Sequence, residues 1–320
     1  MSNIKVAVCL TTYNHAEYIS QAIEIVLSQK TNFDFLLVIG EDGSVDNTIK
    51  ICREYERKYP TKINVIQYET NLGLVKNTIE LYKFIKKRNI EYIAMLDGDD
   101  YWIDNNKLQR QIDSLDTNPE SGLSHTSMQL LVEGKVISQK KRNLKEENNS
   151  HLHLPLANCT VVFRTSLISK LDMEYIASQN FLSIDYITAV IFSYNTKFTY
   201  IDESTAVWRR GHSSVSNPNN LKKDIEYVKH HVNVWRYINK LYPEVLFEES
   251  WGISYIKMES LKLAYKYNDY KLAKDVTTNT PLSNSGESKI EGMRSFFAKN
   301  RLLFFIYCSI YKLRNMVRTH

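Results

Sequence analysis

The chain has 320 residues, enough for one large core or for a core with a smaller appended domain. Its formal net charge of +5 is mild, so no nucleic-acid partner is expected. The four cysteines, at 9, 52, 159 and 308, lack metal-ligand spacing and read as reduced thiols of a cytosolic protein. The apolar run Ile4–Leu10 is only a strand's length, which does not suit a leader, and no uninterrupted apolar stretch reaches the roughly 18 residues of a membrane span.

Ile4–Leu10 reads as a buried strand that hands over, through Thr11-Thr12-Tyr13-Asn14, to a helix over about 16–28. Ile19, Ile23, Val26 and Leu27 mark that helix's apolar face. A second strand, Phe35–Ile39, runs into Gly40-Glu41-Asp42-Gly43-Ser44-Val45-Asp46-Asn47-Thr48, where Ser44 or Asp46 can cap a helix over 47–59 that ends before Pro60. A third strand, Ile63–Tyr68, leads into Asn71-Leu72-Gly73-Leu74 and a helix over 75–87. A fourth, Glu91–Leu96, ends abruptly at Asp97-Gly98-Asp99-Asp100-Tyr101-Trp102.

Four strand-helix repeats in the first hundred residues imply a mostly parallel sheet covered by helices. Ligands bind such sheets beyond the carboxyl ends of the strands, and all four polar clusters fall there. Neither a G-x-G-x-x-G nor a G-x-x-x-x-G-K-[ST] pattern is present, so dinucleotide and P-loop motifs are excluded. Three carboxylates within four residues repel one another, and burying them uncompensated is costly. Two readings stand on the residues alone: a solvated turn, or a site for a hard divalent cation such as Mg²⁺ or Mn²⁺.

After Trp102 the pattern predicts a helix over 106–115, a basic loop or hairpin over 135–153 and a strand over 156–163. The triplets Asn148-Asn149-Ser150 and Asn158-Cys159-Thr160 match the glycan-acceptor pattern and are taken as chance. Next come a helix over 182–192 with Asp185 in its first turn, a strand over 198–201, and the segment Ala206–Ser214 containing Trp208-Arg209-Arg210-Gly211-His212. From 218 onward long helical patterns take over (222–241, 251–267, 270–276), so the domains divide as 1–217 and 218–320, with a linker over 279–286. In the last element, 295–318, Leu302, Ile306, Ile310, Leu313 and Val317 share one face, with Leu303 beside it. Lys299, Arg301, Lys312, Arg314 and Arg318 flank that face and no acidic residue interrupts it. The pattern suits a helix lying on an anionic membrane surface, or a terminal helix docked on the protein's own core.

The ordered set V-x-V-C-L-T-T-Y-N-H, E-D-G-S-V-D-N-T, N-L-G-L-V-K-N and L-D-G-D-D-Y-W resembles the family 2 glycosyltransferases over residues 4 to 215. The resemblance implies an α/β GT-A fold: a Rossmann-like, mostly parallel sheet flanked by helices, here with a helical C-terminal extension. It implies a nucleotide-diphosphate-sugar donor, most often a uridine one (UDP), and Mn²⁺ or Mg²⁺. By matching positions, Thr11, Thr12 and Tyr13 would line the nucleotide pocket. Asp42, with Glu41 beside it, would bind the base edge. Asn71 and Lys76 match a nucleotide-proximal motif, with Lys76 where the family more often has Arg. Asp97 and Asp99 match its D-x-D motif, one meeting the ribose or a metal-bound water and the other the metal, with Asp100 an alternative ligand. Asp185 matches the catalytic base, with Ile184 where the family has Gly or an acidic residue; Asp172, Glu174 and Asp202 are rivals. Arg209 and His212 match a segment that closes over the diphosphate, where His212 would touch phosphate or metal.

These roles imply direct displacement by an acceptor hydroxyl, with one carboxylate taking its proton, and hence inversion at the anomeric carbon. The acceptor expected is a glycan or a lipid-linked glycan at the inner face of the cell membrane, in surface polysaccharide or lipopolysaccharide assembly. Two alternatives are a degenerate transferase that binds nucleotide sugar or membrane without turnover, and a sugar-nucleotide nucleotidyltransferase. The latter usually carries a glycine-rich basic loop after the first strand, which Thr11–His15 is not.

Overall fold

The computed structural model describes residues 4–132, 134–138, 156–210, 220–245, 248–278 and 289–308. It divides into two units, Met1–His212 and Ser213–His320. The boundary expected near 217 falls in 211–219, outside the described residues.

The first unit begins with β1 (Ile4–Thr12), α1 (Ile19–Leu27), β2 (Asp34–Glu41), α2 (Thr48–Lys58), β3 (Ile63–Gln67), α3 (Leu74–Lys87) and β4 (Tyr92–Asp97). β1, β2 and β4 read as near-continuous apolar runs because both of their faces are buried. β5 (Tyr101–Trp102), α4 (Lys107–Thr117), β6 (Ser121–Val132) and β7 (Lys135–Ser138) follow. Then come a 3₁₀ turn (Asn158–Thr160), β8 (Val162–Arg164), α5 (Met173–Ser178), α6 (Asp185–Ser193) and β9 (Lys197–Arg210). The sheet order is β3-β2-β1-β4-β8-β6-β9-β5, with β7 paired to β6. The four strands β3-β2-β1-β4 are parallel, and β8 joins β4 antiparallel. One core, from Val6, Leu10, Ile23, Leu37 and Leu96 to Trp102, Leu108 and Ile112, joins this half to α1 and α4.

Four differences from the sequence reading have physical causes. α1 starts three residues late, because Asn14 has φ 56° and the amides of Asn14, His15 and Ala16 are capped by Ser44 Oγ (2.9 Å), Thr48 Oγ1 (2.8 Å) and Asp46 Oδ2 (3.1 Å). Ser44 thus caps the loop after β1 rather than α2. β6 has no counterpart in the sequence reading, because small polar residues occupy several of its buried positions; Ser124 and Thr126 are buried there, and Thr126 hydrogen-bonds Thr205 at 2.6 Å. The predicted 156–163 strand is a 3₁₀ turn followed by β8. The strands expected at 198–201 and from 206 are one strand, β9, irregular in register against β6 near Ser204. Of the basic segment 135–153, only β7 lies among the described residues.

The second unit holds α7 (Leu221–Leu241), α8 (Glu249–Tyr267), α9 (Tyr270–Thr278), α10 (Lys289–Ala298) and a helix over 301–308. Buried Asp224 of α7 accepts from Lys266 Nζ (2.9 Å) and Tyr267 Oη (2.7 Å) of α8. Leu261, Ala264, Tyr265, Ala273, Ala298, Phe304, Tyr307 and Cys308 form the unit's core. The single helix expected over 295–318 is interrupted at 299–300, and Asn300 Oδ1 accepts the Leu302 amide at 2.9 Å. Its inward face is Phe304, Tyr307 and Cys308, whereas Leu302 and Ile306 of the predicted apolar face are 71% and 47% exposed. Ile310, Leu313, Val317 and the 279–286 linker lie outside the described residues. No described helix is long and apolar enough to cross a membrane, and all four cysteines are buried thiols.

Lys107 is fully buried beneath Trp102, 4.8 Å from its ring, with Gln111 Oε1 and the Thr160 carbonyl as acceptors. Burial pushes its ammonium down to about 7, so above that pH the unfolded chain holds a proton that the folded one has lost. Stability therefore rises with pH across this window. Denaturant melts of wild type and Lys107→Met from pH 7 to 8.5 should show wild type gaining relative to the variant by about 1 kcal/mol per pH unit. Parallel curves would contradict the assignment.

Candidate active site

Parallel register assembles the site. Thr11 of β1 stands beside Gly40 of β2 and Asp97 of β4, and Thr12 stands beside Glu41. The polar ends of three strands are therefore set in one row at the carboxyl rim. Thr11 Oγ1 donates to Asp97 Oδ1 at 2.7 Å, and Asn158 Nδ2 donates to Asp97 Oδ2 at 3.2 Å. Both donors are neutral, so they orient the carboxylate without cancelling its charge. Burial, and then the charge of Asp99, push the Asp97 carboxyl up to about 7. Asp100 is also raised, by burial first and then by Asp99 and Asp97. His15 Nε2 lies 3.9 Å from Asp99 Oδ2, and His15 Nδ1 lies 3.3 Å from Thr12 Oγ1.

The second strand's carboxylates hold neighbouring loops. Asp42 accepts the amides of Leu72 (2.7 Å) and Gly73 (3.0 Å), which ties the Asn71–Gly73 loop to the rim. Burial raises its carboxyl, against the lowering effect of those two amides. Glu41 is fully buried; its Oε1 accepts the Ser44 amide at 2.8 Å and its Oε2 has no hydrogen-bond partner among the described residues. Buried Asn77 of α3 donates to the Gly40 carbonyl at 2.9 Å and fixes α3 on β2. Asn71 and Lys76 are exposed, as is Tyr13.

A latch closes the third side. β5 pairs antiparallel with β9, Tyr101 facing Val207 and Trp102 facing Ala206. Asp100 Oδ1 accepts the Arg209 amide at 2.9 Å. The Arg209 guanidinium donates to the Asp99 carbonyl and to Gln21 Oε1, and it lies 4.5 Å from the Tyr101 ring and 4.9 Å from that of Tyr18. The loop is thereby pinned to α1 and β9. His212 lies outside the described residues.

Asp185 is the first residue of α6 and lines a cavity with Asn158, Tyr82, Met95, Phe163 and Phe192. Its Oδ1 is buried with no hydrogen-bond partner among the described residues. The rival carboxylates have other contacts: Asp172 caps α5 by accepting the Tyr175 amide at 3.0 Å, and Asp202 accepts from Tyr200 Oη at 3.0 Å. Glu174 sits in the first turn of α5.

Residues 7–167, just over half of the chain, match glycosyl transferase family 2. The chain belongs to this family. Its sequence is 28% identical over 200 residues to Mb1547 of Mycobacterium bovis, covering 62% of this chain and 57% of that protein. It is 26% identical over 172 residues to the dTDP-rhamnosyl transferase RfbG of Shigella flexneri, covering 53% of this chain and 59% of that one. The chain thus spans little more than half the length of these relatives. Its fold is similar to that of S. aureus TarS 1–349, solved with UDP-GlcNAc (TM-score 0.56, 17% identity, 95% of this chain and 91% of that one). It is also similar to the mannosyltransferase PcManGT of Pyrobaculum calidifontis, solved with GDP-Man and Mn²⁺ (TM-score 0.55, 14% identity, 94% and 86%). The GT-A fold expected from the motifs is the fold observed.

The family's usual divalent cation can be tested against the donor set. Asp97 and Asp99 offer hard oxygen ligands, and their mutual repulsion is what a cation would relieve. Among the described residues no three His, Cys, Asp or Glu side chains converge as a metal cage.

Asn158, Cys159, Gln21, Tyr18 and Asn77 also build this site, and the sequence reading gives none of them a role in it. Asn77 ends the N-L-G-L-V-K-N cluster and Asn158 opens the N-C-T triplet taken as chance; the others have only their place in the fold. Gly98 shows how tight the rim is. A Cβ there would meet Thr12 Oγ1 at 2.6 Å and His15 Nδ1 at 2.9 Å. Gly98→Ala should therefore cost on the order of 1–3 kcal/mol in denaturant unfolding, and unchanged stability would contradict the packing.

Proposed function

We propose that the protein is an inverting glycosyltransferase that moves a sugar from a nucleotide-diphosphate donor, of uridine type, to a hydroxyl of a glycan or lipid-linked acceptor. The observation that carries this is Asp185, which lines a cavity with Asn158, the residue bonded to Asp97, and whose buried Oδ1 has no hydrogen-bond partner among the described residues. Family membership and the nucleotide sugars bound by similarly folded proteins support the donor class. The motif resemblance supports uridine.

Asp185 accepts the proton of the acceptor hydroxyl as its oxygen attacks C1, and the bond from C1 to the diphosphate breaks on the opposite side. A single displacement inverts the anomeric centre. Thr11, Thr12 and Tyr13 border the nucleotide, and Asp42, with buried Glu41 beside it, meets the base edge while also holding the 71–73 loop. Exposed Asn71 and Lys76 are free to meet the nucleotide from the solvent side, as their motif match suggests. Asp97 and Asp99, with His212, would hold Mn²⁺ or Mg²⁺. When bound, the cation supplies positive charge to the diphosphate leaving group. Arg209 keeps the D-G-D-D loop in place and adds positive charge nearby.

The acceptor side is read from the second unit. Exposed Leu302 and Ile306, with exposed Lys299 and Arg301, support contact with an anionic membrane surface at its cytoplasmic face. That location suits a lipid-linked acceptor in surface polysaccharide assembly.

Two measurements test these assignments. Asp185→Asn should lower transfer by a factor on the order of 10²–10⁴ while nucleotide binding is retained, and full transfer would overturn its role. Leu302→Glu with Ile306→Glu should abolish co-sedimentation with anionic vesicles without lowering the melting temperature. Unchanged sedimentation would overturn the membrane contact.

A further inference from the structure

Asn158 opens the 3₁₀ turn Asn158–Thr160, whose backbone is clamped by buried groups. The Trp102 indole donates to the Cys159 carbonyl at 2.9 Å, and Gln111 Nε2 donates to the Thr160 carbonyl at 2.9 Å. Thr160 Oγ1 closes the turn on the Ala157 carbonyl at 2.7 Å, and the Met95 amide donates to the Val161 carbonyl at 3.0 Å. The direction in which Asn158 leaves the backbone is therefore fixed from beneath.

An ionised carboxylate only accepts, so the Asn158 amide turns its Nδ2 toward Asp97. The contact is 3.2 Å to Oδ2, with Oδ1 at 3.5 Å. Thr11 takes Oδ1 from the opposite strand at 2.7 Å. With one donor on each oxygen, rotation about the carboxyl axis is blocked. Asn158 also lines the cavity that Asp185 lines.

We propose that Asn158 is a positioning residue that fixes the orientation of Asp97 and, through it, the binding of a nucleoside diphosphate with its divalent cation. This rests on the reading of Asp97 as a donor-side carboxylate. It gives the N-C-T triplet a role inside the protein: the Asn158 amide is engaged with Asp97.

Titration calorimetry of UDP with Mn²⁺ on the full chain tests it as a cycle of wild type, Asn158→Leu, Asp97→Asn and the double variant. Leu keeps the Cγ-branched outline of Asn, though it is bulkier, and removes the donor. Asn158→Leu should weaken binding about tenfold or more. Asp97→Asn should weaken it at least as much, and the double variant should bind no worse than Asp97→Asn alone. A general packing role would instead multiply the two losses, and that result overturns the proposal. Wild-type binding by Asn158→Leu, with Asp97→Asn impaired, overturns the role of Asn158 alone. Wild-type binding by Asp97→Asn overturns the donor-side reading, and the proposal with it. Thermal melts report folding of each variant; should Asn158→Leu unfold, Asn158→Ser, too short to reach Asp97, takes its place in the cycle with the same expectations.

Discussion

The site depends on carboxylates crowded at the end of one buried strand. Parallel register places Asp97 at the end of a buried strand, and the next turn adds Asp99 and Asp100. The donors to Asp97 are a hydroxyl and an amide, and Asp100 accepts a backbone N–H from Arg209. Neutral dipoles orient carboxylates but leave their charge in place, and burial makes that charge costly. The surrounding hydrogen bonds maintain the shape of the rim.

Much of that shape comes from residues that touch other residues rather than ligand. Asp42 ties down the 71–73 loop, Asp46 and Ser44 cap the amides after β1, and Asn77 fixes α3 to β2. Arg209 joins β9, the acidic loop and Gln21 of α1. Polar motifs at sheet rims therefore serve two purposes at once: each carboxylate that could meet a nucleotide also organises the backbone around it. Preorganisation of this kind is what lets a fixed site bind a charged ligand without reordering itself.

The β-α alternation through Asp97 was legible because buried parallel strands are continuous apolar runs, and the four polar clusters lie where such strands end. β6 was not legible, since Ser124 and Thr126 fill buried positions that periodicity expects to be apolar. Asp97, Asp99 and Asp185 stand out as residues, but their link through Asn158 does not, because Asn158 lies 61 positions from Asp97 in the chain. Arg209 stands out by charge, yet its engagement with Gln21 and Tyr18 depends on β9 pairing with β5, which no local pattern encodes. The C-terminal helix shows the same limit. Its apolar residues fall on two faces, and only packing reveals that Phe304 and Tyr307 turn inward while Leu302 and Ile306 remain exposed.

The central claim is that the carboxylates at the end of β4 hold a divalent ion that in turn holds a donor diphosphate. Anomalous diffraction at the manganese edge, from crystals grown with UDP and Mn²⁺, addresses it most directly. The account predicts one strong peak bonded to Asp97 or Asp99 and to diphosphate oxygens. A diphosphate seated at this rim with no anomalous peak beside it, or a peak remote from both carboxylates, would contradict it.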